Sequence, residues 1–423
     1  MLDALVTDFE ARTVDPAQAG RALTEVSAFL NAHPEAAAAA FRLLHAWRGV
    51  WAQGGTQAPP LRTQEFDLKA LSPGARAELA ALAAAGGVSG DVPAASGAHP
   101  LPGSGWREAF LGGSAETEAQ HYRHIAEQVR HMQALGAEHA DGRPRRAFHQ
   151  KGVGLKARFT VASTLAPELR VGLFQPGRTW DAVVRLSNAA DPDDQAPNLH
   201  GLALRIAGPT EQDFLATSAP VSHVANAADQ AQVGEALALG TLKGALKLLF
   251  ARGPLFTVRV LSTLSKQTKK RAESLAQLSY YSRAPFRFGP VAARFVFQPI
   301  DLAAVQGSYA GPHRLTAELT HRLKAGPIRW TMALQRFVNE GTTSIEQGDS
   351  DWTFAISPPE VVGVLEIPAH DLDGAEPEAL ARAVEGWSFS PFNTTHHTPL
   401  GRLNRGRRVA YDASVAGRKQ SGQ

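Results

Sequence analysis

Arg294-Phe295-Val296-Phe297-Gln298 and Ile328-Arg329-Trp330-Thr331-Met332-Ala333-Leu334-Gln335-Arg336-Phe337 are the stretches that decide the fold. In both, bulky apolar side chains recur at every second position, which places them on one face of a strand. Antiparallel strands with one dry face are expected. Working outward, β-type segments stand at Leu155–Val161, Ala182–Ser187, Gly201–Ile206 and Asp213–Ala216 on the N-terminal side. Further ones read at Ala292–Gln298, Leu315–Arg322, Ile328–Val338, Trp352–Ile356 and Val361–Ile367. Between the two groups, residues 226–280 read as helical, with an apolar stripe through Leu237, Leu242, Leu246 and Leu249-Phe250. About eight strands interrupted by one helical insertion predict an α+β chain built on an antiparallel eight-stranded β-barrel.

The flanks are helical in texture. Residues 1–85 carry Ala and Leu at helical spacing, and residues 86–114 are dense in Gly, Pro, Ser and Ala, as in a linker. Helices are expected at 116–135, opened by Ser114 and early acids, at Glu376–Glu385, and at Arg402–Ala416. The expected division is a helical extension and linker over 1–112 and a barrel domain over 113–385, with its insertion at 226–285. A wrapping segment and terminal helix follow over 386–423.

Composition narrows the chemistry. The chain has 423 residues, a formal charge of +3 and no cysteine. Disulfides, thiolate metal sites and cysteine nucleophiles are therefore excluded. The start, MLDALVTDFEAR, lacks the basic opening of a signal peptide, and no apolar run is long enough to span a bilayer. A cytoplasmic protein without stable membrane insertion is the expectation. The one local basic cluster, Lys266–Arg271, is ordinarily a solvated helix face, and no nucleic-acid partner is expected. His121 and His124 are neighbours on a helix, but no third ligand has convincing spacing.

Three constellations carry chemistry. Arg146-Ala147-Phe148-His149-Gln150-Lys151-Gly152 puts a possible general base beside a cation at a strand entrance. Val184-Arg185-Leu186-Ser187-Asn188 would place Arg185 and Ser187 on one strand face, although a solvent-facing polar edge reads the same way. Arg407-Arg408-Val409-Ala410-Tyr411, followed by Arg418, puts Arg407 one helical turn from the Tyr411 phenol. A guanidinium there favours phenolate, a hard anionic ligand for ferric iron. In isolation it is also the pattern of a surface cation–phenol pair.

Taken together and in order, these constellations resemble the catalase family. That family shows Arg-x-x-His-x-Lys-Gly, then Val-Arg-Phe-Ser, then Gly-Phe-Ala-Val-Lys-Phe, which here corresponds to Gly201-Leu202-Ala203-Leu204-Arg205-Ile206. A helix follows with Arg, Tyr four residues later and Arg seven after that. The resemblance implies a barrel of catalase type holding haem b (iron protoporphyrin IX), with Tyr411 as the axial iron ligand. By the same resemblance His149 would move the peroxide proton and Ser187 would fix its tautomer. Arg146, Arg185 and Arg418 would bind the haem propionates, and Arg407 would keep Tyr411 ionised.

The chain departs from the family in places. Thr217-Ser218-Ala219-Pro220 stands where catalases carry a distal Asn, so Thr217 takes the amide's place. Phe148 precedes the distal His, where a small β-branched residue is usual. The chain also ends soon after Tyr411, as in small bacterial catalase-related peroxidases. These departures imply a peroxidase that reduces organic hydroperoxides, and hydrogen peroxide more slowly, through a ferryl intermediate with an external electron donor. A monomer or homodimer is expected. A fatty-acid hydroperoxide isomerase or lyase of the same fold, or a non-catalytic haem- or lipid-binding module, are the rival readings.

Overall fold

In a computed structural model of the chain, the described residues are 101–139, 152–189, 193–196, 198–239, 241–268, 271–300 and 303–420. The expected helices of residues 1–85 and the Arg146–His149 segment lie outside them.

Nine strands occur among these residues. They are β1 (Gly152–Val161), β2 (Thr179–Asn188), β3 (His200–Ala207), β4 (Glu211–Thr217), β5 (Tyr280–Tyr281), β6 (Phe286–Phe288), β7 (Val291–Pro299), β8 (Ile328–Arg336) and β9 (Glu360–Ile367). Every pairing is antiparallel. β1 to β5 follow in sequence order, β7 pairs with β5, and β9 lies between β8 and β1. The sheet thus closes on itself as an eight-stranded barrel, with β6 a hairpin arm on β7. Closure leaves no long edge strand for another chain to extend.

The alternation that predicts the strands also fills the barrel. Leu155, Ala157 and Phe159 of β1 point inward with Val184 and Leu186 of β2, Leu204 of β3, Phe214 of β4, and Phe295 and Phe297 of β7. Phe174 packs edge-on to Phe159, Phe214 and Phe288. Each fully buried Phe contributes roughly 1.5–3 kcal/mol of transfer free energy. The inside of this barrel is a packed core.

Two expected strands are absent. Leu315–Arg322 lies in a helix, α4 (Arg314–Ala325), of which Leu315, Leu319 and Leu323 join the barrel core. Those leucines are spaced by four, and Glu318 pairs with Arg322 across one turn, so helical periodicity outweighs the short β-like composition. Trp352–Ile356 holds a turn in which the amides of Ile356 and Ser357 both donate to the Thr353 carbonyl. Trp352 is there a packing residue beside Phe337, Ile345 and Leu400. Conversely, β5 and β6 go unread in the sequence, because strands of two and three residues carry no periodicity.

The other described helices are α1 (Ala115–His139), α2 (Ala227–Ala238), α3 (Thr241–Thr268), α5 (Ala375–Gly386) and α6 (Gly401–Gln420). The helical insertion is therefore two helices, the second bent at Gly253-Pro254. None of the described helices is long and apolar enough to cross a membrane.

The start of α6 is set by charge and close approach. The Gly401 amide donates to Glu108 Oε1 and the Arg402 amide to Glu346 Oε2, both at 2.7 Å. Carboxylates there satisfy N–H groups that the helix itself leaves open. Arg405, one turn on, binds Glu108, Glu118 and Glu346 together. Gly401 has φ +84°, and a Cβ there would collide with the Ile345 carbonyl. Gly406 lets α6 approach Ala227 of α2, and Ile125 and Tyr122 of α1.

Candidate active site

α6 turns one face to α1 and α2 through Leu403, Ala410 and Ala413. Tyr411 lies outside that contact, half-buried, with its ring edge-on to Phe392 at 6.2 Å. Arg407, one turn earlier, donates from Nη2 to the Tyr411 oxygen at 3.5 Å, and its guanidinium lies 5.7 Å from the phenol ring centre. Arg407 also donates to Asn404 Oδ1 at 3.1 Å. Asn404 is fully buried and donates to the carbonyls of Pro285 and Leu400. Arg407 is thus aimed through a side chain fixed to the β5–β6 turn. Arg418 lies two turns beyond Tyr411 on the same helix.

A second, half-buried cation lies near the first. Arg283, in the β5–β6 turn, has φ +60°, a backbone region that a non-glycine residue adopts at some cost. Burial, then the charge of Arg407, pulls its guanidinium down to about 10. Its Nη2 lies 3.4 Å from His223 Nδ1, and burial followed by Arg283 holds that imidazole down at about 3, hence neutral. Arg294 is buried and pulled down to about 9, chiefly by burial. The Nε atoms of both arginines and Nε2 of His223 are buried without a hydrogen-bond partner. A cavity of about 240 Å³ opens beside them, lined by Tyr281, Arg283, Arg294, Gln335, Asp351 and Trp352 among others.

The barrel wall carries the remaining candidates. Arg185 and Ser187 share the outer face of β2, as their spacing predicts, and both are buried. The alternative of a solvent-facing edge does not hold, because β2 lies between β1 and β3 in the sheet. Arg185 Nε donates to Glu385 Oε1 of α5 at 2.9 Å, and the same carboxylate oxygen accepts the Gly152 amide. The register runs Gly152–Ser187–Gly201–Thr217–Tyr281 across five strands. Ser187 is therefore flanked by two glycines, and Thr217 sits beside Tyr281. Ser187 and Thr217 therefore share one end of the barrel wall, and Arg283, two residues after Tyr281, lies close enough to Arg407 of α6 to feel its charge. The Thr217 hydroxyl donates to the Ala219 carbonyl at 3.4 Å.

Sequence reasoning missed Arg283, His223, Asn404 and a fourth group, His200. His200 Nδ1 lies 2.9 Å from Asn188 Oδ1, Asn188 donates to Asp194, and the Ser218 hydroxyl accepts the His200 amide. Burial, against the pull of Asp194, brings this imidazole down to about 4. No motif marks these residues; their chemistry comes from long-range packing. Among the described residues no three His, Asp or Glu side chains converge as a metal site. His124 and His131 instead face Glu127 and Glu235.

The closed antiparallel barrel and its outer helices form a fold of catalase type. Three solved structures are similar to it. Catalase A from Saccharomyces cerevisiae matches with TM-score 0.53 and 14% identity, over 67% of this chain and 63% of its own. A fungal catalase matches with TM-score 0.53 and 15% identity, over 69% and 62%. A bacterial catalase matches with TM-score 0.51 and 15% identity, over 78% and 66%. The chain thus spans less than two thirds of the length of each of these catalases. At such identity the likeness is one of fold. No family model and no curated protein sequence matches the chain.

Proposed function

We propose that the chain is a haem-dependent peroxidase that reduces organic hydroperoxides with electrons from an external donor. The observation that carries this is the Arg407–Tyr411 contact on α6, beside a barrel of catalase type. The residues fit the group on the α6 side. A phenol oxygen accepts from a fixed guanidinium, and two further arginines, Arg283 and Arg294, carry buried Nε atoms without a hydrogen-bond partner. Tyr411 would ligate the iron and Arg418 would bind a propionate. Haem, when bound, supplies the oxidation chemistry. Arg407 places a positive charge and a donor where an anionic phenol oxygen needs them.

On the peroxide side, β1 begins three residues after His149, opposite Ser187. His149 would take the proton from the hydroperoxide and return it to the leaving oxygen, with Ser187 orienting the ring. Thr217 offers a hydroxyl in place of an amide, and this smaller group suits a peroxide with an organic substituent. Arg146 would act as a second propionate anchor. Arg185 is bound to Glu385, so a propionate there would share the guanidinium with a resident carboxylate.

The test loads the protein with haem and records its ferric spectrum. Cumene hydroperoxide is then added with and without a phenolic donor. Donor-dependent consumption is expected, with Tyr411→Phe altering the spectrum and abolishing turnover. An unchanged spectrum in Tyr411→Phe would sink the ligand assignment. Donor-independent consumption of a fatty-acid hydroperoxide would replace the peroxidase with an isomerase or lyase.

A further inference from the structure

α3 is anomalous in both charge and exposure. Across its 28 residues it carries Lys243, Lys247, Arg252, Arg259 and Lys266, with no Asp or Glu. Its inner side is anchored by Leu248 and Val260, which pack with Val224, Val233 and Ala236. Its outer side is apolar as well. Phe250 is 86% exposed, Leu255 87% and Val258 66%, and Leu246 and Leu249 are exposed too. Half of the large exposed apolar side chains among the described residues belong to this one helix. Exposed hydrophobic groups scattered singly need no explanation, but a contiguous set on one element does.

The bend concentrates them. Gly253 has φ +79° and Pro254 lacks an amide hydrogen, so the helix breaks between Phe250 and Leu255. These two side chains flank the elbow, its most exposed point. Side chains 86% and 87% exposed are wet on nearly every side, and a flat protein surface would cover one side of such a tip and leave the other wet. It suits a medium that closes around it.

The charges identify that medium. Lys247 and Arg252 reach back to Glu235 and Asp229, and Arg259 lies at the limit of pairing with Asp349. Lys243 and Lys266, at the two ends of the helix, have no ion pair among the described residues. Lys269, Lys270 and Arg271 follow in the sequence. Unopposed cations thus bracket an apolar tip, the arrangement that seats a peripheral helix among anionic lipid headgroups. We infer that the α3 elbow docks the protein on an anionic phospholipid bilayer, with Phe250 and Leu255 entering the interface and Lys243 and Lys266 meeting headgroup phosphates. The docking is peripheral and independent of any haem chemistry.

The test uses the full chain without added haem. It is sedimented with vesicles of phosphatidylcholine alone, or of phosphatidylcholine mixed with phosphatidylglycerol. Binding to the mixed vesicles only is expected, weakening as salt is raised. Phe250→Ser/Leu255→Ser should weaken it about tenfold or more, with unchanged thermal melting because both side chains are solvent-exposed. Lys243→Gln/Lys266→Gln should weaken it and blunt the salt dependence. In Phe250→Trp, fluorescence should shift to the blue on mixed vesicles. Lack of binding, or equal binding by the Ser variant, overturns the inference. So does a dimer in solution that the Ser variant dissociates, since the elbow would then belong to a second copy of the chain.

Discussion

Replacing Arg205 by Met should loosen the segment that leads into α6. Arg205 of β3 forks onto Asp213 of β4, Nε to Oδ1 and Nη2 to Oδ2, both at 2.8 Å. Asp213 is fully buried. The pair clamps the chain after α5: Arg205 also donates to the Ser388 carbonyl, the Ser390 amide donates to Asp213 Oδ2, and the Asp213 amide donates to the Asn393 carbonyl. Trp387 and Phe389 stack on the guanidinium at 5.3 and 5.0 Å. Removing one partner of a buried pair costs about 3–5 kcal/mol, because the other is left uncompensated. Burial already pushes the Asp213 carboxyl above the usual range, against the pull of Arg205. Without Arg205 the carboxyl would take up a proton, which caps the loss near ~3 kcal/mol at neutral pH. The loss should shrink as pH falls. Urea denaturation of wild type, Arg205→Met, Asp213→Leu and the double variant measures it. The double variant, with neither charge left buried, should lie within ~1 kcal/mol of wild type. Hydrogen exchange at the Ser390 amide should quicken in Arg205→Met. A loss below ~1 kcal/mol in the single variant, or a double variant as poor as the sum of the singles, would refute the reasoning.

Two further outcomes follow from charge. His200 is held near 4 in the folded chain against an ordinary value of 6.5. The unfolded chain therefore binds a proton that the native one refuses, and stability falls as pH drops from 6.5 towards 4, by about 3 kcal/mol from this group. His200→Gln should flatten the pH dependence of the urea midpoint over that window, and an unaltered slope would exclude His200 as a source. Arg405→Met leaves Glu108, Glu118 and Glu346 without their shared cation. It should cost about 3 kcal/mol and weaken haem retention together with stability, measured by thermal melting and by haem transfer to a scavenger protein; a variant with wild-type melting would show the acid cluster to be self-supporting.

The barrel was legible where strands are long enough to show a period. Phe295 and Phe297, and Trp330, Met332 and Leu334, occupy the faces that alternation assigns them. Misreadings arose where composition stood in for period. Leu315–Arg322 is rich in Leu and Thr, yet its leucines recur at helical spacing. Of the site, pairs one helical turn or two strand positions apart could be read directly: Arg407 with Tyr411, and Arg185 with Ser187. Arg283 and His223 are 60 residues apart in sequence, and no local pattern foretells their meeting. Glu385 beside Arg185 was equally hidden, since it arrives from a helix 200 residues away.

The packing sorts apolar side chains into the barrel interior and polar ones onto its outer face. The barrel interior is closed by phenylalanine rings and capped by the leucines of α4, so it has no room for a planar cofactor. The polar groups that the core rejects are on the outer face, at Arg185, Ser187, Arg294 and Gln335, and they are buried there because helices and loops cover them. Burying a cation is costly unless an anion meets it. Arg283 lies within charge range of both Arg407 and Arg294, and the acids that act on Arg294 are Asp351, in the adjoining cavity, and Asp349. Three guanidiniums against two carboxylates leave a deficit of negative charge. An anionic group held beside Arg407 would supply part of it. The strained turn that holds Arg283 near Arg407 concentrates positive charge there, and Arg407 in turn contacts the Tyr411 phenol. If Arg283→Leu stabilises the haem-free protein but shifts the haem-loaded spectrum towards that of Tyr411→Phe, the turn serves the phenol; a stabilised protein with an unshifted spectrum would show that it does not.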